Sequence, residues 1–205
     1  MKKTFFQKTY NVIRNLLFLG VINFAFSLAI HWIKKLIDNI NIQELYYQII
    51  IVQSKLTICE HVTQNITALS ILIASLFIML ELAFRFTNDS ILNYFKSVYQ
   101  TINLRRFLSQ DENSKSIISI DNQTTVTKYN PILKKFNRAI SKSTVDIRTE
   151  TVKVYIIYPK TQQAQKLLRD MEVHIKEEIS SRNPNYYFSS STRAGNKLWF
   201  IGNKR

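Results

Sequence analysis

The sequence predicts a membrane protein, with an N-terminal two-helix transmembrane hairpin followed by a cytoplasmic α+β domain of two or three helices and a small mixed or antiparallel sheet. Three observations predict it. Two long apolar runs, 16–33 and 66–84, lie in the first 86 residues, and nothing comparable follows. Both outer flanks of this pair are basic, while the segment between the runs is balanced in charge. Beyond residue 87 the pattern changes to short strands and amphipathic helices.

The first run, LLFLGVINFAFSLAIHWI, has 18 residues and no Asp, Glu, Lys or Arg; the second carries only Glu81. At ~1.5 Å per residue each covers roughly 27–29 Å, close to the ~30 Å hydrocarbon core of a bilayer. A helix of a soluble protein would show a polar stripe, and these two almost lack one. The long basic flank ahead of the first run, with no small-x-small site after it, argues against a cleaved signal sequence.

Basic residues set the orientation. Lys2, Lys3, Lys8 and Arg14 precede the first run; Arg85, Lys96, Arg105 and Arg106, offset by Asp89, follow the second. Between the runs Lys34, Lys35 and Lys55 face Asp38, Glu44 and Glu60. The expectation is a multi-pass protein of the inner membrane, with both termini cytoplasmic and residues 36–64 outside. Lys34 and Lys35, at the outer end of the first span, run against that pattern.

The hairpin carries a few polar positions. Asn23, Ser27 and His31 fall at i, i+4 and i+8, a stripe suited to packing against a second helix or another copy. Glu81 and Arg85 lie one turn apart. They read as an interfacial pair with Arg85 snorkelling to water, or as an intramembrane carboxylate lining a pore or meeting another subunit. Between the spans, 45–52 is apolar but short, either an interfacial helix or an extension of the spans. Cys59 and His61 alone are a poor metal set, and the sequon Asn65-Ile66-Thr67 abuts the membrane. A single cysteine excludes an intrachain disulfide.

The expected organisation is a hairpin over 1–86, a helix and linker over 87–115, and a basic α+β domain over 116–205. From residue 87 onward there are 20 Lys and Arg against 10 Asp and Glu, so this part holds +10 of the net +14. Helical spacing runs over 90–108 and a polar linker over 109–116. Two short strands are expected around Asp121-Asn122 within 116–129. Pro131 opens a short basic helix. The stretch 152–158 is apolar on nearly both faces, which suits the centre of a sheet. Val145 and Ile147 fall on the opposite phase, so a bulge or turn belongs near 148–150. Ala164, Leu167, Leu168, Met171, Ile175 and Ile179 form the stripe of one helix over 161–181. Glu172–Lys176 and Glu178–Arg182 are its expected surface pairs. A closing hairpin pairs 186–192 with 198–202 around a turn at 193–196.

No catalytic, metal-ligating or cofactor-binding constellation stands out, so the expectation is a protein that is not an enzyme. Asp146, Glu150 and Lys153 share residue types with metal-dependent nucleases, but a solvated sheet face accounts for them equally. The closing hairpin is more suggestive. Arg193, Lys197, Trp199, Lys204 and Arg205 interleave with Tyr186, Tyr187 and Phe200. Cations meet phosphates and aromatic faces stack bases, which suits a polyanion. Anionic lipid would be attracted equally, and alternate aromatics also face cores.

Two functions follow. One is a membrane-anchored, non-enzymatic protein whose basic domain binds nucleic acid, a nucleotide or a cytoplasmic protein partner. The other is a permeabilising effector of the toxin or antiphage-defence type, whose domain senses a signal while the hairpin forms a homo-oligomer in the lipid bilayer.

Overall fold

The computed structural model describes residues 1–38, 46–111 and 130–205. The strands expected within 116–129 and most of the linker lie outside these residues. The chain divides into two compact units. One is Thr9–Glu81; the other joins Met1–Lys8 to Leu82–Arg205.

The first unit is built from α1 (Phe5–Asp38) and α2 (Tyr46–Asn88), two helices long and apolar enough to cross a membrane. The segment 46–52 is an extension of α2, not a separate helix. Rising positions on α1 meet falling positions on α2: Gly20 faces Ser70, His31 faces Glu60 and Asp38 faces Gln53. The helices are therefore antiparallel. Small residues let the backbones approach. A Cβ on Gly20 would sit 3.0 Å from Ser70 Oγ, and Ser27, Ser70 and Ala74 are all buried. Such seams are how helices pack where burying apolar surface gives no driving force. The outer faces stay apolar and open, with Phe18, Val21, Leu72 and Met79 each more than 60 % exposed.

The second unit contains α3 (Ile91–Leu108), α4 (Pro131–Ile140), β1 (Thr144–Ile147), β2 (Thr151–Ile157), α5 (Gln162–Asp170), α6 (Glu172–Arg182), β3 (Tyr186–Phe188), β4 (Thr192–Arg193) and β5 (Lys197–Lys204). The sheet is antiparallel, in the order β1-β2-β5-β3, and β4 also pairs with β5. Position 148–150 is a turn, closed by Arg148 N–H to the Thr151 carbonyl at 2.8 Å. It resets the phase, so Val145 and Ile147 fall opposite Val154 and Val152 on one face. That face, with Ile156, Leu198 and Phe200, packs against Phe136 and Ile140 of α4, Ala164 and Leu168 of α5, and Ile175 and Ile179 of α6.

The second face is covered from the N-terminus. Gln7 Nε2 donates to the Lys153 carbonyl at 2.9 Å, and Lys3 Nζ stands 3.9 Å over the Tyr155 ring. Tyr155 in turn packs on Trp199, ring centroids 5.0 Å apart. This explains why β2 is apolar on both faces.

Two expectations need correction. The helix over 161–181 is two helices with a break at Met171. Glu172 does not pair with Lys176. Its carboxylate accepts from Tyr158 Oη at 3.1 Å and Ser191 Oγ at 2.9 Å, and these bonds fix the start of α6. Glu178 does pair with Arg182, at 2.5 Å.

Gly202 sits beneath the Phe188 ring, and a Cβ there would lie 2.8 Å from Phe188 Cε1. Phe188 is buried in the core and has nowhere to move. Gly202→Ala should lower stability by about 1–3 kcal/mol, the usual cost of overpacking. Urea unfolding of the full chain in detergent checks this; Phe188→Leu added to Gly202→Ala should recover part of the loss.

Candidate functional site

The five residues expected to form a polyanion site do not come together. Trp199 is buried, 1 % exposed, and cannot stack a base. Lys197 and Lys204 stand at opposite ends of β5, roughly 23 Å apart at ~3.3 Å per residue. Lys204 faces Glu150 at 3.5 Å, and Arg205 follows it at the same end. Arg193 lies at the other end, its guanidinium 4.1 Å over the Tyr158 ring.

Beside that ring lies a cleft of about 450 Å³, lined by Lys135, Arg138, Lys142, Tyr158, Lys160, Thr161 and Asn196, among others. It follows from the local sequence. In α4, Phe136 and Ile140 point into the core, which turns Lys135, Arg138 and then Lys142 to the outside at i, i+3 and i+7. Asn130 caps this helix, accepting from the Ile132 N–H at 3.0 Å, and Pro131 fills the first turn. The opposite wall is the turn from β2 into α5. Thr161 is the N-cap of α5, yet its hydroxyl makes no capping bond and its oxygen is buried with no hydrogen-bond partner among the described residues. The first-turn N–H groups of a helix lack intrahelical acceptors and carry its positive end. Four cations and the N-cap residue of α5 thus line one concavity, with no carboxylate among its lining residues. The arrangement suits a phosphate-bearing anion.

The hairpin's polar positions divide between two places. Asn23 donates to the Leu19 carbonyl of its own helix at 2.9 Å, and Ser27 is buried. His31 Nδ1 lies 3.3 Å from Glu60, which also takes a 2.8 Å bond from Lys34. That bond, with the His31 contact, holds the Glu60 carboxyl below its ordinary value. It also answers the cation Lys34 at the end of the first apolar run. Glu81 is buried, 1 % exposed.

Arg85 does not snorkel. It is fully buried and donates to Asp146 Oδ1 at 2.5 Å and to the Ile147 carbonyl at 2.9 Å, with Asp89 Oδ2 3.5 Å away. The rings of Phe6 and Tyr94 lie 5.4 and 5.8 Å from its guanidinium carbon. Asp146 also accepts from Arg148 at 3.2 Å. Asp146 is therefore committed to a buried ion network.

Asp89 turns the corner from α2 to α3. Its Oδ1 accepts from Thr149 N–H at 2.9 Å, Thr149 Oγ1 at 2.5 Å and Asn93 Nδ2 at 2.9 Å. Burial raises its pKa, but these bonds outweigh that and hold the carboxyl below the usual value. A depressed carboxylate stabilises above its ordinary pKa, and that stability is lost as pH falls through the folded value.

No known protein family, curated protein or solved structure matches this chain. The site therefore stands on its own geometry. Among the described residues, no three His, Cys, Asp or Glu gather to hold a metal. Sequence reading registered α4 as basic but had no way to join it to Lys160. It missed the Arg85–Asp146 pair because 61 residues separate the partners.

Proposed function

We propose that this chain is a membrane-anchored, non-enzymatic protein of the inner membrane whose basic domain binds a phosphate-bearing polyanion in the cleft between α4 and the start of α5. The cleft carries the reading, because four cations converge there without a carboxylate among its lining residues. Two helices able to span a bilayer support the anchor. Residues 1–8 and 82–205 share one compact unit, which supports a hairpin with both ends on one side, the cytoplasmic one by the distribution of basic residues. We prefer this to the permeabilising alternative because Ser27 is buried and His31 meets Glu60 of the same chain.

The test uses the full chain in nanodiscs of uncharged lipid, titrated with a fluorescent single-stranded oligonucleotide over a range of salt. Neutralising four phosphates predicts log K against log salt with a slope of about −3, at ~0.7 per phosphate for a single strand. Lys135→Gln/Arg138→Gln/Lys142→Gln should weaken binding at least about tenfold and bring the slope near −1. Lys204→Gln/Arg205→Gln, at the far end of β5, should leave affinity within about threefold. Equal losses from both variants would place binding elsewhere, and an absence of salt-dependent binding would sink the reading.

A further inference from the structure

Helix α3 is amphipathic the wrong way round for a water-soluble domain. Through its first three turns the polar stripe is the buried one: Asn93, Ser97 and Thr101 face the sheet, and Leu104 and Leu108 join the core at the C-terminal end. Its apolar stripe faces out, with Leu92 at 66 %, Phe95 at 60 %, Tyr99 at 64 % and Ile102 at 46 % exposure. A helix free to roll would turn that stripe inward. This one cannot, because its hydroxyls are engaged by β1. Thr101 Oγ1 accepts from Val145 N–H and Ser97 Oγ from Ile147 N–H, both at 2.9 Å, and Arg105 donates twice to the Ser143 carbonyl. The outward face is fixed by the fold.

We propose that this face docks on the anionic bilayer surface into which α2 leads, so that α3 lies in the headgroup region as an interfacial helix. The proposal rests on the membrane-anchor reading given above. Two observations choose lipid over a protein partner. The first is continuity: α3 begins at Ile91, directly after α2 ends at Asn88, and Phe84 and Phe86 at that end are also exposed. The second is charge. The helix ILNYFKSVYQTINLRRFL holds Lys96, Arg105 and Arg106 and no acid, and Lys96 and Arg106 are exposed beside the apolar stripe. An apolar face with aromatic residues and flanking cations is the pattern that binds a bilayer surface. At about 27 Å, the helix is long enough to set the tilt of the domain against the membrane.

The experiment uses the full chain with Cys59→Ser, carrying single cysteines labelled with an environment-sensitive fluorophore at Phe95, Ile102, Glu177 and Leu72. The protein is placed in nanodiscs of phosphatidylcholine with about a quarter phosphatidylglycerol. Nitroxide lipids report on the headgroup region or the bilayer centre. The headgroup nitroxide is expected to cut emission at 95 and 102 at least about twofold and to leave Glu177, on the solvent face of α6, unchanged. Leu72 should be quenched from the bilayer centre. If Leu72 is quenched but 95 and 102 emit as in water, the docking is wrong and the anchor stands. Blue-shifted but unquenched emission at 95 and 102 would assign the face to protein, a second copy included, and overturn the proposal. Unquenched Leu72 would remove the anchor and the docking together. Equal quenching without phosphatidylglycerol would remove the role of anionic headgroups.

Discussion

Arg85→Met should cost about 3–5 kcal/mol of stability, the usual penalty for leaving a buried charge without its partner. The substitution keeps the side chain's apolar bulk between Phe6 and Tyr94 but strips the guanidinium from Asp146, Asp89 and the Ile147 carbonyl. Asp146 is 1 % exposed, so water cannot replace what is lost, and among the described residues Arg148 is the cation that remains beside it. Adding Asp146→Leu should return a substantial part of the loss, because an apolar replacement of both partners removes the stranded charge. Thermal and urea unfolding of the full chain in detergent measure both. A cost below ~1 kcal/mol for Arg85→Met would mean that the network is solvated and contributes as little as a surface pair does.

Ser97→Ala with Thr101→Val should be nearly as damaging, at about 2–5 kcal/mol for two buried N–H groups that lose their acceptors. β1 is an edge strand of the sheet, and an open edge exposes donors and acceptors to any other strand. Here α3 covers it with hydroxyls. Four residues of helix rise ~6 Å and two residues of strand ~6.8 Å, so Ser97 and Thr101 keep pace with Ile147 and Val145. Amide hydrogen exchange gives the specific readout: protection at Val145 and Ile147 should fall while Val154, in the sheet centre, changes only with global stability. Unchanged protection at both edge amides would show that the hydroxyls are bystanders.

The parts of the fold legible in sequence were those written in local periodicity. The two apolar runs, the proline-opened helix at 131, the phase break at 148–150 and the strand expected at 152–158, observed as Thr151–Ile157, all sit where short-range pattern put them. What escaped were properties of pairs distant in sequence. Trp199 looked available because a basic hairpin surrounded it, yet Tyr155 on the neighbouring strand covers it. Lys197 and Lys204 looked clustered because seven residues is a short distance in sequence, whereas in a strand it is a long one. The stripe Asn93, Ser97, Thr101 and Arg105 was visible as an i+4 repeat. It runs beside the apolar residues Leu92, Phe95, Tyr99 and Ile102, and nothing local says that the polar side is the one to be buried. The break at Met171 was hidden because the apolar stripe runs through it unbroken; Tyr158 and Ser191, both remote, hold the new start.

The contact of Gln7 with Lys153 spans 146 residues, and it orders the protein's assembly in time. Residues made before both long helices are among the last to find their place. Met1–Lys8 must wait through synthesis of both long helices and most of the domain before β2 exists to receive them. Until then the second face of the sheet, with Tyr155 and Trp199, has no cover, and the nascent chain offers that surface to chaperones or to aggregation. The same fact governs handling. Bulk attached near Met1–Lys8 would crowd the segment that closes the sheet, whereas bulk attached near the exposed Arg205 leaves that closure alone.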